Sequence, residues 1–198
     1  MNDGEGGVND AEPLVFEHGM DESGEKYVRM EVTLHPGTDT ANDDLAHHPT
    51  LFDVPDRHVH PKQEERFEVV TGEYAIERDG TQHTLTPGDE LVVPPGTPHT
   101  QRNPTDDPIR VAHEHRPPLD SPTVYESFYA LAQTGQTDDD GMPGPLQTAV
   151  VVDEYPGHTY RPSPPVPVQK ALFSVLAGVG RLAGYEATHT HDDVVTHG

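Results

Sequence analysis

The chain has 198 residues, no cysteine, and 35 acidic against 12 basic residues, for a formal net charge of −23 at pH 7. That length fits one domain with extensions, large enough to bury a core without staples, and the lack of cysteine excludes disulfides and thiolate metal sites. The acids are scattered through every segment, so nucleic acid phosphates would be repelled and a nucleic-acid partner is not expected.

The first residues, Met1 to Gly7, carry neither a basic nor an apolar leader pattern, which points to a cytoplasmic protein. Residues 1–12 are rich in Gly, Asp, Asn and Glu and are expected to be disordered. From 27 to 34 the chain alternates, with Val28, Met30, Val32 and Leu34 on one face, which predicts a half-buried strand. A long acidic loop over 38–57 follows, interrupted by Pro49 and Pro55 and carrying His47, His48, Leu51 and Phe52. It reads either as a solvated loop or as a lid beside a site.

The next stretch organises the chain. Residues 58–72 read H-x-H-x4-E-x6-G and residues 88–103 read G-x5-P-x-G-x2-H-x3-N. On a strand, His58 and His60 share one face. Glu65 has the parity of the apolar Phe67 and Val69, whereas Glu64 has that of Arg66 and Glu68, so Glu65 is the better ligand and Glu64 the reserve. On the later strand His99, Gln101 and Asn103 share a face. Imidazoles and a carboxylate suit a divalent transition ion with room left for water or substrate. Between the two segments, 73–79 and 82–85 form a hairpin about Asp79-Gly80, and 90–93 another strand. Ile109 to His115 is the last strand, with His113 and His115 on its apolar face.

These paired segments resemble the two motifs of the cupin superfamily. The second motif matches throughout; the first departs at one place, where Phe52 stands for the glycine usual six residues before the first histidine. The resemblance implies a mainly β fold, a cupin double-stranded β-helix (a jelly-roll-like barrel) over 13–118. It also implies a metal site made of His58, His60, Glu65 and His99, holding one divalent ion, Fe, Mn, Ni, Zn, Co or Cu. The reading is a metal-dependent enzyme, dioxygenase-like or isomerase-like, acting on a small oxygenated organic molecule, with His113, Gln101 and Glu64 as candidate catalytic residues. The alternative is a barrel that binds or senses a small molecule without chemistry.

Beyond Arg116-Pro117-Pro118 the composition turns helical, and 119–185 is expected to be a helical extension packing on the barrel or on a second subunit. Ser121-Pro122 reads as a cap and first helical position for 123–133. Residues 146–155 are either helix or strand. Residues 168–185 form an apolar helix, in which only Ala171 to Gly180 separate Lys170 from Arg181, too short for the roughly 20 residues of a membrane span. Its exposed apolar character favours a homodimer. Tyr160 and Arg161 are candidates for binding anionic groups. The tail, 186–198, with His189, His191 and His197, reads as disordered. The segments around Gly141 to Gln147 and Pro167 to Phe173 resemble a group of bacterial and archaeal cupins. The pervasive acidity and the three lysines against nine arginines resemble a halophilic protein suited to molar salt, where the Debye length is about 3 Å.

Overall fold

The computed structural model describes residues 14–34, 57–138, 142–190 and 194–197. The expected loop over 38–57, apart from Arg57, and the expected disordered N-terminus over 1–12 lie outside the described residues. The chain order is β1 (Leu14–Met20), β2 (Lys26–Leu34), β3 (Glu64–Thr71), β4 (Tyr74–Arg78), β5 (Thr81–Leu85), β6 (Glu90–Val93), β7 (His99–Arg102) and β8 (Ile109–Arg116), then α1 (Ser121–Gln133), α2 (Pro145–Glu154), α3 (Val166–Leu182) and β9 (Val194–His197).

Two sheets face one another. One has six strands in the order β6-β3-β8-β2-β1-β9, the other three in the order β5-β4-β7. The alternation in β2 and β3 translates directly into burial: Val28, Met30, Val32, Leu34, Phe67 and Val69 all join the core, together with Phe16, Tyr74, Ile76, Val93, Ile109 and Val111. Apolar burial of this kind is the main driving force for the fold. β1, which has no clear alternation, is recruited by pairing with β2, where Gly19 sits opposite Tyr27. A Cβ at Gly19 would lie 2.2 Å from the Tyr27 ring, so glycine leaves room for the aromatic ring.

The extension adopts helix in all three apolar segments. Residues 146–155, open to either reading in the sequence, are helical as α2, introduced by Pro145 in its first turn. The cap of α1 is Asp120 rather than Ser121. Ser121 lies inside the first turn, and its hydroxyl accepts a hydrogen bond from Gln63 Nε2 at 2.8 Å, so its role is to tie the extension to the barrel. Helix α3 ends in a Schellman arrangement, with Tyr185 N donating to Gly180 O and Gly184 N to Arg181 O, and Gly184 at φ +91° supplies the left-handed turn. Residues 186–198, expected to be disordered, differ: β9 pairs in parallel with β1, and His189 N donates to Ser127 Oγ at 3.0 Å. Backbone pairing with an open sheet edge needs little from the side chains, which is why composition did not reveal it.

The glycine that closes the first motif has a physical reason. Gly72 holds φ +85°, and a Cβ there would lie 2.1 Å from Ile109 Cγ2. Gly80 in the hairpin turn also has a positive φ, +79°, but faces open space. Gly72→Ala is therefore expected to cost more than Gly80→Ala, with the strain alone worth about 1–3 kcal/mol and the steric clash added at Gly72 only. Urea titration of the two variants checks the order.

Candidate metal centre

The site is built where the two sheets and the irregular segment between them converge. His58 and His60 leave a short segment that is held from three sides. His58 pairs by backbone with His99, Val59 pairs by backbone with Tyr160 of the extension, and His60 O accepts from Gly96 N at 2.8 Å. Both histidines consequently point the same way, as alternation requires. Pro94, Pro95 and Gly96, at φ +77°, turn the chain before β7 and deliver His99. On β3 the parity that favoured Glu65 is realised: Glu65 is buried, while Glu64 lies on the outer side and accepts a hydrogen bond from Arg66 Nε at 2.8 Å.

His58, His60, Glu65 and His99 are all buried, and one ligand atom from each lies within 4.8 Å of every other. Glu65 Oε2 is 2.6 Å from His99 Nε2 and 3.3 Å from His60 Nε2. These close contacts lack hydrogen-bond geometry: His60 Nδ1 and Nε2, His99 Nε2 and Glu65 Oε2 are buried with no hydrogen-bond partner. Buried polar atoms are normally satisfied, so convergence of several orphaned lone pairs on one point fits the binding of a cation. The donor set of imidazole nitrogen and carboxylate oxygen fits a divalent transition ion. His99 is further prepared, because its Nδ1 lies 2.9 Å from Thr97 O; a proton on Nδ1 donated to that carbonyl leaves the Nε2 lone pair facing Glu65.

A second buried group shares the carboxylate: Glu65, His113 and His115. Glu65 Oε1 is 3.4 Å from His115 Nε2, its cross-strand neighbour on β8. His115 Nε2 in turn lies 3.2 Å from the Tyr125 hydroxyl on α1. His113 packs its ring edge-on to Phe67, 4.4 Å between centroids, and its Nε2 is 3.3 Å from the Tyr74 hydroxyl. Gln101 is buried on the same strand face as His99. Asn103, also inward by parity, is a tether: its Nδ2 donates to Leu34 O and Asp107 O while its Oδ1 accepts from Thr105.

Tyr125, Tyr74 and His158 were not legible as site residues. Tyr125 carries no motif and reaches His115 only because α1 folds across the barrel. His158 is buried in the loop after α2 and close enough to His115 to feel its charge. Tyr160 braces Val59 through its backbone, with its ring beneath Lys170 Nζ at 5.6 Å. Arg161 is exposed, with its backbone bonded to Gln169.

Residues 30–113 match the family model described as Cupin domain. Similar solved structures include an uncharacterized conserved protein with double-stranded beta-helix domain from Klebsiella pneumoniae, 24% identical over 46% of this chain and 67% of that one, TM-score 0.35. They also include a cupin protein from Bacteroides fragilis, 22% identical over 46% and 65% of the two chains, TM-score 0.36. A third is a sugar phosphate isomerase from a cupin superfamily, from Silicibacter pomeroyi, 26% identical over 46% and 50%, TM-score 0.35. The family match falls on the barrel, whose fold is mainly β with a helical region after it. This chain thus spans between half and two thirds of the length of those proteins, and no curated protein matches it. Among the described residues no helix is long and apolar enough to cross a membrane.

Burial is the largest single influence on each ionisable group of this centre, though not always the deciding one. Burial alone would raise the Glu65 carboxyl, but the imidazoles of His60, His115 and His99 around it hold it well below the usual carboxylate range. His60 and His115 are pushed below the ordinary imidazole value by burial, His113 down to about 3 and His158 to about 4. Burial would lower His99 as well, but Glu65 against its Nε2 raises it instead.

The four lowered histidines stay neutral in the fold at pH values where the unfolded chain, with imidazoles near 6.5, takes up protons. Their contribution is lost as pH falls from 6.5 towards each folded value, the window being widest for His113, down to about 3, and next for His158, down to about 4. Lowered Glu65 acts in the same direction, its contribution being lost as pH falls through its folded value. His99 works oppositely: its pairing with Glu65 contributes fully below 6.5 and is lost as pH rises through its raised value. The lowered groups outnumber the raised one, so chelator-treated protein is expected to lose stability steadily from pH 6.5 to pH 4. Urea midpoints measured across that range check the slope.

Proposed function

We propose that this cupin is a metal-dependent enzyme acting on a small oxygenated organic molecule, with His58, His60, Glu65 and His99 as the ligands of one divalent transition ion. The observation that carries the reading is the convergence of four buried donor atoms within 4.8 Å without hydrogen bonds for the inward atoms of His60, Glu65 and His99. An ion held there would supply Lewis-acid polarisation of a substrate oxygen or, if redox-active, activation of dioxygen.

The surrounding residues supply the rest. Thr97 O fixes the tautomer of His99, and Gly96 N fixes the backbone of His60. Phe67 and Met30, both fully buried, keep water from the inner wall beside His113, which strengthens every charge interaction inside. Two tyrosine–histidine pairs, Tyr74 with His113 and Tyr125 with His115, lie beside the carboxylate and give it neighbours that can carry a proton. Two placed proton carriers favour an isomerase-like relocation of a proton over oxygenation. Glu64, turned outward to Arg66, has no part in this chemistry.

His58→Ala or His99→Ala is expected to reduce bound metal from one ion per chain to below a tenth, with the circular dichroism of the fold retained. Replacing His115 with Phe is expected to leave the ion in place and to remove activity. Elemental analysis of untagged protein from cells supplied with Fe, Mn, Ni, Co, Cu and Zn checks both. Stoichiometric metal in His99→Ala together with loss in the His115 variant would move the ion to the second group, Glu65, His113 and His115. A panel of small hydroxy aldehydes and ketones, followed by NMR for solvent deuterium incorporation and by an oxygen electrode, separates isomerase-like from dioxygenase-like turnover. Tight binding from the panel without turnover would support the binding or sensing reading instead.

The surface fits a halophilic protein, since a net charge of −23 repels itself at low ionic strength. The thermal midpoint is expected to rise steadily between low salt and molar KCl; a midpoint independent of KCl would remove the halophilic reading.

A further inference from the structure

Helix α3 presents two different faces. The inner face packs on α2, with Ala177 and Gly180 buried; a Cβ at Gly180 would lie 2.7 Å from Val150 Cγ2 and 2.9 Å from Leu146 O. Close helix approach therefore explains that glycine. The charged residues flank this face and are engaged: Arg181 donates to Asp153 and Glu154, Ser174 to Asp153, and Lys170 lies over the Tyr160 ring.

The opposite face is apolar and open. Val168, Leu172, Val175, Val179 and Leu182 are exposed, from 51% at Val179 to 91% at Leu182. Their steps along the chain are four, three, four and three residues, the spacing of a seam between two helices, and it runs about 21 Å along the axis. Ala171 and Gly178, seven residues apart, lie along one side of the seam and are exposed. Gly178 is the informative residue. It lies in the helix interior, where glycine costs about 1 kcal/mol against alanine, and a Cβ there would meet nothing within 4 Å. The monomer has no use for a glycine at that position.

We propose that α3 is a self-association surface, on which a second copy of this chain lays its own α3 antiparallel about a two-fold axis beside Val175. In that arrangement Ala171 of one copy meets Gly178 of the other, twice, so that the axes approach closely on one side. Leu172 meets Val179, twice, and fills the other side, Val168 meets Leu182, and Val175 meets its own copy. The same patch complements itself, as an isologous interface demands. A lipid surface is disfavoured because an interfacial helix needs cations along its polar face, and Lys170 and Arg181 are already engaged with Tyr160, Asp153 and Glu154. With α2 behind each α3, the pair of copies builds a four-helix layer from surface that is otherwise too apolar for a monomer.

Sedimentation in molar KCl tests this on the full chain. Wild type is expected to be a dimer at micromolar concentration, and Val175→Glu, at an exposed position, a folded monomer. Gly178→Leu is expected to weaken the dimer at least tenfold even though it improves helix propensity. Because the chain has no cysteine, Val175→Cys gives a clean probe: oxidation is expected to link the copies, whereas Leu172→Cys links only when mixed with Val179→Cys. A monomeric wild type, including one that instead floats with lipid vesicles, overturns the proposal. So does a dimer that survives Val175→Glu, a Gly178→Leu variant that associates as tightly as wild type, or efficient linking of Leu172→Cys to itself.

Discussion

The burial of one carboxylate constrains the rest of this molecule. Glu65 is nearly inaccessible to water and lies among three imidazoles, with His60 and His99 against one oxygen and His115 against the other. A negative charge in that position is tolerable only if positive charge or hydrogen-bond donors surround it. Each neighbour must then be held in place. Backbone bridges fix His58 and His60, the Pro94-Pro95-Gly96 turn and Thr97 fix His99, and the β3–β8 register fixes His115. The barrel wall is thus arranged around an electrostatic need.

Legibility in the sequence followed the range of the physics. Strand alternation is local and strong, so β2, β3 and the inward turn of Glu65 could be read from parity, as could the outward turn of Glu64. The choice between helix and strand for 146–155 is not local: Val150 and Val151 suit a strand by their branching, and packing of Val151 on α1 and of Val150 against α3 makes them helix. β1 and β9 lack a periodic pattern and exist through backbone pairing with neighbours distant in sequence. Tyr125 and His158 join the site only through tertiary folding of the extension, which no spacing in the sequence records.

The extension is consequently part of the site and not an appendage. Gln63, two residues before Glu65, donates to Ser121 Oγ and to the carbonyls of Pro117 and Pro118, and Tyr125 touches His115. The start of β3 beside Glu65 and the end of β8 at His115 are each fastened to residues beyond the barrel. Asn103, which parity alone would place among the pocket groups, instead spends its amide on the β7–β8 connection, showing that an inward-facing polar residue can serve architecture as well as chemistry.

The bridge between Val59 and Tyr160 gives this arrangement a thermodynamic character. Val59 separates two of the site histidines, so the backbone that aims them is the same backbone that anchors the chain after α2. Any event that steadies one side of this bridge steadies the other by an equal free energy, since linkage between two equilibria is reciprocal. Undocking of the far end of the chain and loosening of the histidine pair are, in this fold, a single motion seen from two places.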